Sequence, residues 1–143
     1  MIQIRRSALV RYSPAQMFDL VNEVEAYPKR FNWCAGSAVL ARGEGELTAR
    51  LDLRFAGMVQ SLTTRNTLDA PGSIRMEFVD GPFRSLNGLW TFQPLGESGC
   101  KVGLALDFDY AGSLMAPALR LGFQSVADRM VDDFCREAEK AYG

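Results

Sequence analysis

Few side chains in this sequence are equipped for chemistry, and one kind is missing altogether. There is no histidine among the 143 residues. Serine and cysteine nucleophile systems that need an imidazole base are therefore excluded, as are histidine-ligated metals. Cys34, Cys100 and Cys135 are scattered, with no C-x-x-C spacing. An odd, dispersed set reads as reduced thiols serving as small core residues. Lys29 and Arg30 precede Cys34 closely enough to lower its pKa, but no base accompanies it. Asp107 and Asp109 alternate with Leu106 and Phe108, which points them to solvent or to a weak cation site. Asp132 and Asp133 read as a solvated helix face. The glycines fall at turns, and no G-x-x-x-x-G-K-[ST] phosphate loop occurs. With no catalytic constellation and no metal set, the expectation is a binding or interaction protein and not an enzyme.

The elements that position these residues follow from periodicity. Ile2, Ile4, Ala8, Val10 and Tyr12 share one parity, the mark of a half-buried strand that Arg6 interrupts near an edge. Ser13-Pro14-Ala15-Gln16 is a capping box with proline at the first helical position, and Met17, Leu20, Val21 and Val24 give that helix its buried face. Pro28 disfavours helix at Tyr27 and is expected to end it nearby. Six strand-like runs follow, the clearest alternating Leu47, Ala49, Leu51, Leu53 and Phe55 with polar residues. The run Met58–Leu68 is markedly polar, and Ala56-Gly57 reverses the chain before it. Short connections make neighbours antiparallel.

A long helix closes the chain, starting near Ser113. Met115, Leu119, Phe123, Val126, Met130 and Phe134 recur at spacings of four, four, three, four and four. Helices on one face of an antiparallel sheet make an α+β architecture. One helix laid over a bent sheet of about seven strands covers it imperfectly, which implies an apolar cavity. Its candidate lining is Phe31, Trp33, Leu53, Phe55, Phe78, Trp90, Leu106, Phe108, Phe123, Val126 and Met130.

Length fits one domain over residues 1–143. The net charge of −1 implies no bulk polyanion binding, so DNA is not expected as a partner. Residues 1–75 nevertheless carry +3 and residues 76–143 carry −4. The basic half could face phosphate, and the alternative is solvated strand faces of mixed sign. Lys29 and Arg30, set among Tyr27, Phe31 and Trp33, are the candidate contact with a partner. No apolar run approaches a membrane span, so membrane contact is at most peripheral and a cytoplasmic protein is expected.

Tyr27-Pro28-Lys29-Arg30-Phe31-x-Trp33-Cys34 after a capped helix resembles the coenzyme Q-binding START-like family, within the polyketide cyclase/START-like superfamily. So does Gly81-Pro82-Phe83-x-x-Leu86-x-Gly88-x-Trp90-x-Phe92, and so does the terminal stripe ending in Ala141-Tyr142-Gly143. The resemblance spans nearly the whole chain. It implies the helix-grip fold, a curved sheet wrapped around a long C-terminal helix. It also implies two functions of different class. One branch binds coenzyme Q and supports respiration, which would make an isoprenoid quinone or lipid the bound molecule. The other contains the bacterial ribosome association toxin, which binds the large ribosomal subunit and blocks subunit joining, and its toxin–antitoxin character raises an antitoxin protein as a partner. A weaker third implication is a START-like cyclase; the missing histidine counts against it and leaves Asp, Glu, Tyr or Arg to serve as acid or base.

Overall fold

The computed structural model describes residues 1–55, 57–112 and 117–143. The expected onset of the last helix near Ser113, Met115 in its stripe, and Ala56 in the reversal before Met58 all lie outside the described residues. The chain runs β1 (Ile2–Val10), α1 (Pro14–Asn22), a 3-10 turn (Val24–Ala26) and α2 (Tyr27–Arg30). It continues through β2 (Cys34–Gly43), β3 (Glu46–Phe55), β4 (Met58–Asp69), β5 (Ser73–Asp80), β6 (Phe83–Leu95), β7 (Gly99–Tyr110) and α3 (Pro117–Tyr142). The strands form one antiparallel sheet in the order β1-β7-β6-β5-β4-β3-β2. This is the α+β helix-grip arrangement that the alternation and the closing stripe predict.

Local sequence explains each join. Ser13 and Gln16 close the capping box on α1, with Gln16 N–H donating to Ser13 Oγ at 3.1 Å and Ser13 N–H to Gln16 Oε1 at 2.9 Å. Such a cap is worth about 1 kcal/mol. Gly45 reverses the chain between β2 and β3 at φ +69°, a conformation that costs glycine least. Register shifts in β2, between β4 and β5, and between β6 and β7 insert bulges that bend the sheet.

Pro28 acts differently from expectation. Helix α1 ends earlier, at Glu23, whose φ of −79° and ψ of +64° leave the helical region. Tyr27, directly before the proline, is right-handed helical at φ −55° and ψ −43° and opens α2. The pre-proline preference yields because Tyr27 is buried and its hydroxyl donates to the Val21 carbonyl, a tertiary bond that holds the helical conformation. Arg6 does sit on an edge strand, and it pairs with Asp128 of α3.

The apolar stripe of α3 meets the concave side of the sheet. Phe123 packs against Phe83 and Phe108 with ring centroids 4.8 and 5.0 Å apart. One end of the helix is seated by Phe134, which is wholly buried and touches Trp90 at 5.3 Å, Tyr27 at 5.4 Å and Phe31 at 4.7 Å. Burying a ring of this kind contributes roughly 1.5–3 kcal/mol from surface removal alone.

Candidate functional site

Two concave features flank one layer of aromatic rings. The first is an apolar cavity between the sheet and α3. Leu53, Trp90, Leu106, Phe123 and Met130 line it, as do Tyr27, Leu51, Leu62, Thr64, Met76, Leu86, Leu104 and Ala127. Strand parity points Leu53, Trp90 and Leu106 there, and the helical stripe points Phe123 and Met130. The second group comes from the same strands, from β4 and β5, and from α2 and α3, and of these Leu51 shares the inward parity of Leu53. Phe55, Phe78, Phe108 and Val126 do not line it: Phe55 and Phe108 pack against Phe123, Phe78 and Phe108 pack against Phe83, and Val126 is part of the buried core.

The cavity lies where expected, and its volume is about 70 Å³. A space of about 150 Å³ admits benzene, and small-molecule pockets run about 300–1,000 Å³. The interior of the described state is therefore nearly filled. Its polar groups are few. The Tyr27 hydroxyl is committed to Val21, and burial raises its pKa far above the phenol range. Thr64 Oγ1 donates to Asn66 Oδ1 at 2.9 Å within β4. Neither is poised to carry a proton to a guest.

The second feature is a polar cleft of about 270 Å³ on the other side of the rings. It is lined by Arg30, Phe31, Asn32 and Trp33 from the α2–β2 connection, and by Arg129, Asp133, Arg136, Glu137 and Lys140 from α3. Phe31 and Trp33 are thus placed away from the cavity. They stack at 4.7 Å and 12°, and Phe134 packs against Phe31 from the cavity side. The reason is the hydrogen bond from Trp33 Nε1 to Asp133 Oδ2 at 2.9 Å, which turns the indole towards α3.

Asp133 corrects the sequence reading of a solvated Asp132-Asp133 pair. Asp132 is exposed, whereas Asp133 is buried and bonded to both Trp33 and Arg136. The signal was available: position 133 is seven residues after Val126 and three after Met130, on the buried side of the helix. The basic residues Arg129, Arg136 and Lys140 were missed, since only their spacing on α3, not their neighbours in sequence, brings them together. Lys29 is exposed on α2, and Arg30 Nη2 pairs with Glu23 at 3.0 Å.

Cys34 is also corrected. Its thiol is buried and donates to the Gly36 carbonyl at 3.2 Å, and burial pushes its pKa up to about 11 against the opposing pull of that bond and of Arg54. Asp107 pairs with Arg5 at 2.8 Å. Among the described residues no group of three or more His, Cys, Asp or Glu converges to hold a metal. Among them, too, no helix is long and apolar enough to cross a membrane.

Known proteins bear on this geometry. The chain is 44% identical to the ribosome association toxin RatA of Pseudomonas aeruginosa over 140 residues, covering 98% of this chain and 97% of that one. It is 28% identical to the mitochondrial coenzyme Q-binding protein COQ10 homolog B of Xenopus laevis, covering 99% of this chain and 60% of that one. In fold it resembles the ZhuI aromatase/cyclase of Streptomyces sp. R1128, with a TM-score of 0.86 at 18% identity over 97% of this chain and 94% of that one. The profile of polyketide cyclase / dehydrase and lipid transport proteins matches residues 10–135. With the sheet, the gripping helix and the enclosed cavity in place, the chain belongs to the polyketide cyclase / dehydrase and lipid transport family, START-like in fold.

Proposed function

We propose that this chain is a ribosome-directed interaction protein that binds the large subunit and blocks subunit joining. A cavity of about 70 Å³ is small for a carrier, which turns attention to the outer surface. The observation that carries the proposal is 44% identity to a ribosome association toxin over essentially the full length of both chains. Function by surface recognition needs no catalytic group, which suits a chain without histidine. Overexpression followed by sucrose-gradient profiling tests it. Assembled ribosomes should fall and free subunits rise. An unchanged share of assembled ribosomes removes the proposal.

A second reading is favoured by the cavity's chemistry. Its lining is apolar apart from Thr64 and the committed Tyr27 hydroxyl, and the flexible side chains of Met76 and Met130 reach into it half-buried. Unbranched methionines can swing aside to admit a guest. A hydrophobic molecule such as an isoprenoid quinone or a lipid would then gain roughly 4 kcal/mol gross for each five-carbon unit buried, part of it offset by ordering the tail. Native mass spectrometry and solvent extraction of fresh protein test this. Repeated absence of any quinone or lipid, with no titratable binding, removes it. An antitoxin partner belongs with the first reading, and its signature would be restored ribosome assembly on co-expression.

A further inference from the structure

We propose that the cleft between α2 and the second half of α3 is the surface that grips the phosphate backbone of ribosomal RNA. This rests on the ribosome-directed function proposed above and gives it an address. The cleft has two banks. Arg129, Arg136 and Lys140 rise from one face of α3, and Arg30 and Asn32 stand opposite. Arg54 Nη1 donates to the Asn32 carbonyl at 3.2 Å, so a further cation sits on that bank.

The vertical arrangement of charge decides the sign of the cleft. Asp133 and Glu137 lie at its floor with side chains only 11% and 12% exposed, while their partners Arg136 and Lys140 are 65% and 75% exposed. The carboxylates are thus shielded from solvent and the cations face out. The pairing holds each cation in place before a partner arrives, which reduces the ordering cost of binding. Arg129 has no carboxylate partner among the described residues and bonds only to the Ser125 carbonyl, at 3.2 Å. Arg30 Nη1 is shielded from water and unpartnered among the described residues, while its Nη2 is held by Glu23 at 3.0 Å, so Arg30 contributes less free charge than Arg129.

The chemistry selects phosphate over bases. Phe31 and Trp33 are buried beneath the cleft with their faces already stacked, so they offer no platform to an unpaired base. Cations without accessible aromatics recognise backbone, with little sequence preference and strong salt dependence. Arg129 to Lys140 spans about 16 Å of helix, a length over which a nucleic-acid backbone presents several phosphates.

The test compares two charge-matched variants of the whole protein for binding to purified large subunits and to protein-free large-subunit RNA across a salt series. One carries R54Q, R129Q and K140Q in the cleft. The other carries R65Q, R75Q and K101Q, exposed positions on the outer face of the sheet. The cleft variant should lose affinity for both probes by about tenfold or more, and its salt slope should fall by about 2–3. The outer-face variant should stay within about twofold of wild type. A double variant, R54Q with R129Q, leaves the Lys140–Glu137 pair intact and guards against a folding artefact. Equal binding by wild type and cleft variants, or equal loss from both faces, overturns the cleft while leaving the ribosome-directed function standing. Cleft-dependent binding to subunits without binding to protein-free RNA reassigns the cleft to a ribosomal protein and overturns the RNA proposal. Failure of wild type to bind subunits at all overturns the function itself.

Discussion

Asp133 ties the α2–β2 connection to the closing helix. Its carboxylate accepts from an indole a hundred residues earlier in the chain and pairs with Arg136 on the next turn. A buried carboxylate that loses a donor is left with an unmet desolvation cost, and hydrogen bonds to charged groups are worth about 1.5–3 kcal/mol. Trp33→Phe removes the N–H together with part of a buried, stacked indole, so it should destabilise by at least that amount in urea unfolding. A change below about 0.5 kcal/mol would show that the bond contributes little. The thiols make a separate prediction. Burial raises Cys34 and Cys135 from 9.0 to about 11. The fold therefore holds those protons more tightly than the unfolded chain does. Their contribution to stability is complete below pH 9 and is lost as pH rises through 11. The wild-type urea midpoint should fall between pH 9 and 11, and less steeply in Cys34→Ala. The same burial should keep Cys34 slow to alkylate at pH 8 until the protein is unfolded.

Helix α3 is the element whose seating fixes both concave features. Phe134→Ala removes a fully buried ring that contacts Trp90, Tyr27 and Phe31, and should cost about 3–5 kcal/mol by denaturant titration. Gly122 makes a sharper prediction. Helix propensity alone would make Gly122→Ala stabilising by about 1 kcal/mol. A Cβ there would meet Phe55 Cδ2 at 2.8 Å and its Cβ at 2.9 Å, so crowding should reverse the sign and cost about 1–3 kcal/mol. The stripe of α3, the alternation of β3 and the capping box of α1 were legible because each is a local period that one face of a packed layer must satisfy. The cavity's place followed from the same logic. Its size did not, since it depends on how Met76, Leu86 and Met130 fill space between elements far apart in sequence. The helical Tyr27 and the buried Asp133 were hidden for a related reason: each is decided by one tertiary hydrogen bond that no local pattern records.

At the scale of the whole molecule, the fold of a lipid-handling family encloses almost no free space and presents a basic cleft on its outside. The aromatic layer between them belongs to both, with Tyr27 and Trp90 on the cavity side and Phe31 and Trp33 on the cleft side. A guest that displaced Tyr27 would therefore disturb the cleft, and ribosome binding measured with and without added quinone should reveal the coupling if the second reading holds. The central claim is that the outer surface engages the large ribosomal subunit. Cosedimentation of the purified protein with separated large and small subunits tests it most directly. The protein should travel with the large subunit at low salt and be released as salt rises. Protein that stays at the top of the gradient with either subunit at every salt concentration would contradict the claim.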